Sequence, residues 1–489
     1  MPKLTSSLEL PLGPRPANKS LTDWLYAELR CAIMEGRLKR GVRLPSTRDF
    51  ALQHGVSRGI AMLVIEQLRD EGYLTSKTGA GTWVNERLPD DLLTVCARMP
   101  VNPVKVPLLT PTTRPIRPFQ SSDPDVSLFP IDIWSRLTSR QWRRATKALL
   151  SGGDSAGYAP LRNAIAEYLG TSRGVQCHAD QVIVVTGTQQ ALDLVARLFV
   201  RPGESAWMEE PGYFGAAWAL RNAGANIVSV PVDSDGMNVE RGVQLAPRAK
   251  LAYVTPAHQA PLGVTMSIER RIALLRWAQS AKSIIVEDDY DSEFRFTGVP
   301  IPALQGLDKT GSVIFIGSFN KVLFPGLRLG YIVVPEQLRD KVVRMRYRMD
   351  LWVNSINQAV LTDFIADGHL GRHLRRMRET YAERRCALQD AAEKYLGDSL
   401  QLSGMHAGLA TPAFYRARVS SREFEREASN QGIDATALER YSMSKRRIRG
   451  VLLGFAAFEP REINQAMQRL ATVVEMFERG DDSKRPNGP

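Results

Sequence analysis

SFNKVLFPGLRLGY, residues 318–331, follows without a break on the apolar run SVIFIG at 312–317. Such a run predicts a buried strand, and Lys321 lies just beyond its end, where open α/β sheets place their ligands. Ser318 and Arg328 flank the lysine with a hydroxyl and a permanent cation, and Gly326 and Gly330 let the chain pass closely by. An aldehyde cofactor carrying a phosphate needs this set: an amine for a Schiff base and donors for the dianion. Taken singly, Lys321 reads more readily as a surface lysine.

Three other segments converge on the same chemistry. VTGTQQALDL at 185–194 turns at a glycine and opens a helix at Thr188 and Gln189, whose free amides suit a phosphate. EEPGYFG at 209–215 puts Tyr213 on a Pro-Gly turn, where its ring can stack on a pyridine. IIVEDDYDSEF at 284–294 ends an apolar strand in Glu287, Asp288 and Asp289, followed by Tyr290. A carboxylate there keeps a pyridine nitrogen protonated, and Tyr290 can donate to the ring's phenolic oxygen. Each piece has a bland counterpart: packing for Tyr213, an ordinary turn for GTQQ, a magnesium site for EDDY. The bland readings together require four coincidences in one order and spacing.

Outward from these motifs, short apolar runs alternate with helical segments. QVIVV at 181–185, SAWM at 205–208, ANIVSV at 225–230, KLAYVT at 250–255, SIIVED at 283–288 and GYIVV at 330–334 join SVIFIG as strands. Segments 189–200, 212–223, 269–281 and 336–367 read as helices. Buried strands separated by crossover helices predict an α/β fold with a mostly parallel sheet covered on both faces. An Arg-rich helix at 368–395, whose Arg372, Arg375, Arg376 and Arg378 form a solvated or interdomain face, leads to a smaller terminal unit containing ATPAFYRARV and RGVLLGFAAF.

The chain has 489 residues, 44% hydrophobic and 24% charged, with a net charge of +12. These values exclude collagen-like and wholly disordered classes and leave room for about three domains. Cys31, Cys96, Cys177 and Cys386 form no ligand cluster, so neither a disulfide scaffold nor a metal site is expected, and a reducing compartment fits. No apolar run reaches the roughly 18 residues of a membrane span, and MPKLTSSLELPLGPRP lacks the apolar stretch of a secretory signal. The cytoplasm is the expected location.

The N-terminal stretch reads differently. Leu21, Leu25, Leu29 and Ile33 mark one face of a helix. LPSTRDFALQHGVSRGIAMLVIEQLRDEGYL supplies two more, the first capped by Ser46 or Thr47 and covered by Phe50, Ala51 and Leu52. The second is capped by Ser57, with Ile60, Leu63, Val64 and Leu68 inward. A strand at 72–76, a turn and TWVN at 82–85 add a wing. Arg48, Ser57 and Arg58 lie where a DNA-reading helix pair presents them, and Gly81 lets the wing backbone come close to the minor groove. A small bundle used for dimerisation is the alternative, and 13 basic against 10 acidic groups in residues 1–90 do not decide between them. Residues 87–125 are proline-rich and predict a semi-rigid tether, its Arg98, Lys105, Arg114 and Arg117 suited to solubility or to nearby phosphates.

LPSTR at 44–48, VSR at 56–58, EGYL at 71–74 and GAGTWV at 79–84 resemble the winged helix-turn-helix of the GntR family of bacterial repressors, apart from Gly59-Ile60, where a Thr-Val-like pair is usual. That resemblance implies a dimeric operator reader touching DNA through Arg48, Ser57, Arg58 and Gly81. From about Leu128 to Phe477 the chain resembles fold-type I, aspartate-aminotransferase-like enzymes that use pyridoxal 5'-phosphate (PLP). This implies Lys321 as the Schiff-base lysine, Tyr213 on the ring, Asp288 at the pyridine nitrogen and Tyr290 at the ring oxygen. Thr188, Gln189, Ser318 and Arg328 would hold the phosphate, and Tyr158 would reach the partner subunit's site in a homodimer. With TPAHQAPLG at 255–263 added, the whole resembles the MocR/GabR subfamily. Its members respond to PLP or to an amine or amino acid reacting with it, and act in vitamin B6, GABA, taurine or D-alanine metabolism.

The expected layout is therefore a winged helix-turn-helix at 15–86, a linker at 87–125 and an aminotransferase-like effector domain at 126–480. The latter has a large part at about 170–345 and a smaller C-terminal α+β part at about 346–480. The expected function is a PLP-dependent transcriptional regulator binding double-stranded operator DNA, the alternative an active aminotransferase with a DNA-binding appendage. Two departures favour sensing over efficient transamination. Ala260 stands where aminotransferases carry a ring-oxygen Asn, with His258 or Gln259 as polar neighbours in its place. Leu452 stands where an Arg normally clamps the substrate carboxylate. The nearest arginine, Arg449, is an odd number of residues away and so faces the other side of an extended strand, unless Gly450 turns it round.

Overall fold

The computed structural model describes residues 12–16, 19–77, 81–90, 116–121, 123–298, 301–444 and 448–482, and its contacts divide into two units, Met1–Thr113 and Arg114–Pro489. Arg98, Lys105 and Arg114 of the tether lie outside the described residues.

In the first unit, serine hydroxyls begin three helices: Ser20, Ser46 and Ser57 accept the amides of Asp23, Asp49 and Ile60 at 3.0, 3.2 and 3.3 Å. These helices are α1 (Leu21–Met34), α2 (Thr47–Gln53) and α3 (Arg58–Asp70). Strand β1 (Leu74–Lys77) pairs antiparallel with β2 (Gly81–Val84) as the wing. The core face of α3 is Ala61, Val64, Ile65 and Leu68, the i, i+3, i+4, i+7 set. Leu63, expected inward, is 55% exposed, because it sits one residue off that stripe, about 100° round the helix. Leu52, expected to cover α2, is likewise exposed. Arg48, Ser57 and Arg58 are exposed, and Gly81 has φ 128°.

The second unit is organised by an eight-stranded sheet. Its strands are β3 (Val182–Val185), β4 (Ser205–Glu210), β5 (Asn226–Asp233), β6 (Gly236–Met237), β7 (Leu251–Val254), β8 (Ile284–Asp289), β9 (Val313–Ser318) and β10 (Gly330–Val333). They lie in the order β3-β10-β9-β8-β7-β4-β5-β6. The five central strands from β9 to β5 run parallel, while β10, inserted between β3 and β9, is antiparallel to both. Side chains alternate across the sheet as the pleat requires. Ile314 and Ile316 join the core on one face; Val313 and Phe315 join the clusters on the other, where Trp207 stacks on Trp277 at 3.7 Å.

Segment 336–367, read as mainly helical, holds two helices, Glu336–Asp350 and Ser355–Ala366. The break falls at Leu351, with φ 63°, and Asn354 caps the second helix by accepting the amide of Asn357. The long helix His369–Leu396 carries exposed Arg372, Arg375, Arg376 and Arg378. A four-stranded antiparallel sheet follows, in the order β11-β12-β14-β13: β11 (Leu400–Leu402), β12 (Ala410–Tyr415), β13 (Thr436–Ala437) and β14 (Val451–Gly454).

Residues read as the end of the tether are docked on this unit. Phe119 is wholly buried despite a φ of 68°, and its carbonyl accepts the amide of Gly454 at 2.9 Å. A Cβ on Gly454 would stand 2.0 Å from the Gln120 carbonyl, so glycine is what lets the segment lie on β14. Arg117 donates to the Ser429 carbonyl at 3.1 Å, and Asp125 accepts Arg384 at 2.8 Å. Replacing Phe119 by alanine empties a buried aromatic site and is expected to lower stability by about 3–5 kcal/mol. The check is urea unfolding of the full chain, followed at the transition of the second unit.

Candidate functional site

The carboxyl ends of the parallel strands open into a cavity of about 600 Å³. Thr188, Gln189, Tyr213, His258, Asp288, Tyr290, Ser318, Lys321 and Arg328 all line it. They arrive from β9 and the loop after it, from the helix Thr188–Phe199, from the turn after β4, and from the ends of β7 and β8. Of the expected residues, Tyr158 and Arg449 do not line the cavity.

At one end the groups form a cup for an anion. The helix Thr188–Phe199 starts behind Gly187, and its first residues, Thr188 and Gln189, line the cavity together with Ser318 and Arg328; the first amides of a helix have no partner within it. Asn320 completes the cup; its Nδ2 lies 3.2 Å from where a Cβ on Gly187 would be, and its Oδ1 is buried without a partner. At the centre, Lys321 is half-buried with its Nζ 3.8 Å from Asp123. Burial lowers its pKa, against the opposing charges of Asp123 and Asp291, and so enriches the free amine.

At the far end, strand phase sorts the three acids of β8. Glu287 points away and accepts the amides of Leu304 and Gln305 at 2.7 and 2.8 Å, while Asp289 takes Arg173 at 2.8 Å. Asp288 alone of the three enters the cavity. Its Oδ2 accepts the Tyr253 hydroxyl at 2.8 Å, and its Oδ1 is buried with no partner. Burial pushes this carboxyl up to about 7. A protonated pyridine nitrogen is the kind of donor that the bare oxygen lacks, so the residues fit the ring as well as the phosphate of PLP. Tyr213 stands over the same space, its hydroxyl pushed up to about 12 by burial and by the nearby Asp288 charge.

The polar neighbours of Ala260 divide. Gln259 is spent on structure, its amide donating to Glu209, Pro211 and Ala260. His258 enters the cavity, with Nδ1 3.0 Å from Asp291 and 3.2 Å from the Tyr290 hydroxyl. With Nδ1–H given to Asp291, the Tyr290 proton is left to point at a ligand. Leu452 lines the opposite wall, while Arg449 is exposed and stands two residues before the first residue of β14. Tyr158 is half-buried and its amide donates to Gln358 at 2.7 Å. Sequence reasoning missed Tyr253, Asp291, Asn320, Glu425 and Arg440; Asn320, one residue before Lys321, and Asp291, one residue after Tyr290, stood inside motifs that could have flagged them.

Asp288 also makes stability pH-dependent in the cofactor-free protein. Its folded pKa of about 7 lies above the ordinary 3.8, so the fold favours the protonated form. The stabilisation is full below the ordinary value and is lost as pH rises through the folded one. The urea midpoint should therefore fall between about pH 4 and 7, and less steeply in Asp288→Asn. An equal slope in both proteins would show that other groups carry it.

Two family profiles match the chain: "Bacterial regulatory proteins, gntR family" over residues 21–84 and "Aminotransferase class I and II" over residues 124–470. The chain is 41% identical to the probable rhizopine catabolism regulatory protein MocR of Rhizobium meliloti, over 94% of both chains. It is 30% identical to the pyridoxine biosynthesis transcriptional regulator PdxR of Corynebacterium glutamicum, over 96% of this chain and 99% of that one. Among solved structures, the α-aminoadipate aminotransferase of Thermus thermophilus, complexed with N-(5'-phosphopyridoxyl)-L-leucine, superposes with a TM-score of 0.69. It has 26% identity and covers 74% of this chain and 93% of its own.

Proposed function

The chain belongs to the MocR-type branch of the GntR family, PLP-dependent transcriptional regulators that join a winged helix to a class I and II aminotransferase domain, and from this we propose that it senses PLP, or an amino compound reacting with it, and adjusts its hold on operator DNA. The observation that carries the proposal is the meeting, in one cavity, of an amine, an anion cup and a bare buried carboxylate oxygen. PLP supplies an aldehyde that condenses with amines and a ring that accepts electrons. Lys321 presents the nucleophile, with its charge weakened by burial. Thr188, Gln189, Ser318, Asn320 and Arg328 would hold the phosphate; Asp288 would accept from the ring nitrogen, Tyr290 would donate to the ring oxygen, and Tyr213 would cover the ring.

Sensing rather than turnover is favoured by Leu452, an apolar side chain at the wall where transamination needs a carboxylate clamp. The genes controlled would serve vitamin B6 or amino-compound metabolism, as the names of the relatives suggest. In this reading the protein acts as a homodimer, with Tyr158 reaching the partner's site. Among the described residues no helix is long and apolar enough to cross a membrane.

Two measurements test the proposal. The absorbance spectrum with PLP should show a visible band that Lys321→Ala lacks; no band in either protein sinks the covalent role. Operator binding should depend on PLP or on an added amine. Exposed Arg58, at the start of α3, is expected to contact DNA, so Arg58→Ala should weaken binding and lower the slope of log affinity against log salt by about 1 if it meets a phosphate. A slope left unchanged would remove Arg58 from the phosphate contacts.

A further inference from the structure

The wall facing the cofactor groups is built by the small sheet and its helix, and its chemistry specifies a ligand. Leu452 is fixed there by the register of β14, which pairs it with Pro412 and Thr436 and turns Val451 and Leu453 into the opposite core. The cation on this wall comes instead from Arg440, in the short helical turn Leu438–Tyr441. Arg440 does not stand alone. Its Nε lies 2.9 Å from both carboxylate oxygens of Glu425, which also lines the cavity. Beside them the hydroxyls of Ser121 and Thr436 are 3.2 Å apart and form a second mixed donor and acceptor pair.

An Arg–Glu pair carries no net charge. A carboxylate approaching Arg440 meets the Glu425 charge at the same point and loses much of what it gains. A hydroxyl uses both partners, accepting from an Arg440 Nη–H, which makes no hydrogen bond among the described residues, and donating to Glu425. Leu452 adds an apolar surface suited to carbon rather than to a charge.

Given a cavity that holds PLP as proposed above, we infer that the amine recognised is an amino alcohol, its hydroxyl seated between Glu425 and Arg440, rather than an α-amino acid. Alaninol and alanine make a matched pair of probes, differing only in a CH₂OH against a carboxylate and sharing no other hydroxyl. Each is titrated into the PLP-loaded full chain, following the visible band, and compared with its reaction with free PLP to remove intrinsic reactivity.

Alaninol is expected to act at concentrations about tenfold or more below alanine, the preference given by one charge-assisted hydrogen bond. Glu425→Gln leaves the Arg440 charge uncancelled and should move the preference toward alanine by about the same factor, and Leu452→Arg should reverse it. The PLP band in each variant reports that the site has folded. Alanine acting as readily as alaninol, or neither acting, overturns the inference and leaves PLP sensing standing. A wild-type protein without a PLP band overturns the underlying reading, and the inference with it.

Discussion

A sheet buried on both faces confines its chemistry to the strand ends, and much of the site follows from that constraint. Along β7, β8 and β9 the two faces are filled by Val, Ile, Phe and Tyr side chains packed against helices. A charge placed mid-strand would be stripped of water with no partner. Polar side chains therefore collect where parallel strands run out together, and Ser318, Asp288 and the turn holding Tyr213 open on the same cavity. The two-residue period then decides which acid of β8 enters the cavity, because its neighbours are turned onto the far face, toward the Leu304 and Gln305 amides and Arg173.

Burial also sets the electrostatics. Glu209, Glu287, Asp288 and Glu293 are all pushed up to about 7 by loss of water. Three have polar partners that occupy them: Thr255 with Gln259, the backbone amides at 304 and 305, and Tyr168. Asp288 keeps one oxygen bare. A cationic donor entering the cavity would meet the least satisfied acid of the group, which is a physical basis for ordered cofactor capture.

Much of this was legible in the amino acids, because buried strands and cofactor turns have local signatures. SVIFIG, SIIVED and KLAYVT became β9, β8 and β7 to within a residue or so. What escaped depends on contacts far apart in the chain. Arg440 and Glu425 lie in stretches without any motif and meet only because the short helical turn folds against the helix Ser421–Asn430. The break at Leu351 was hidden by continuous helical composition on both sides. Leu63 misled because a leucine near a helical stripe is indistinguishable, by composition, from one on it. The proline content that suggested a free tether to 125 gave no hint that Phe119 is swallowed by the core.

That docked segment ties together parts usually treated separately. Between Arg117 and Asp125 it buries Phe119 beside β14, lends Ser121 to the cavity wall, and brings Asp123 to within 3.8 Å of the Lys321 amine. A ligand and the stretch of chain entering from residue 116 are thus competitors or collaborators for the same few square ångströms. Linkage makes the consequence symmetrical: whatever free energy an occupant adds to or takes from the seating of this segment, anything that pulls on or steadies the segment returns to the occupant's affinity by the same factor. Operator DNA, if it alters that seating, becomes an effector of ligand binding as much as the ligand is an effector of DNA binding.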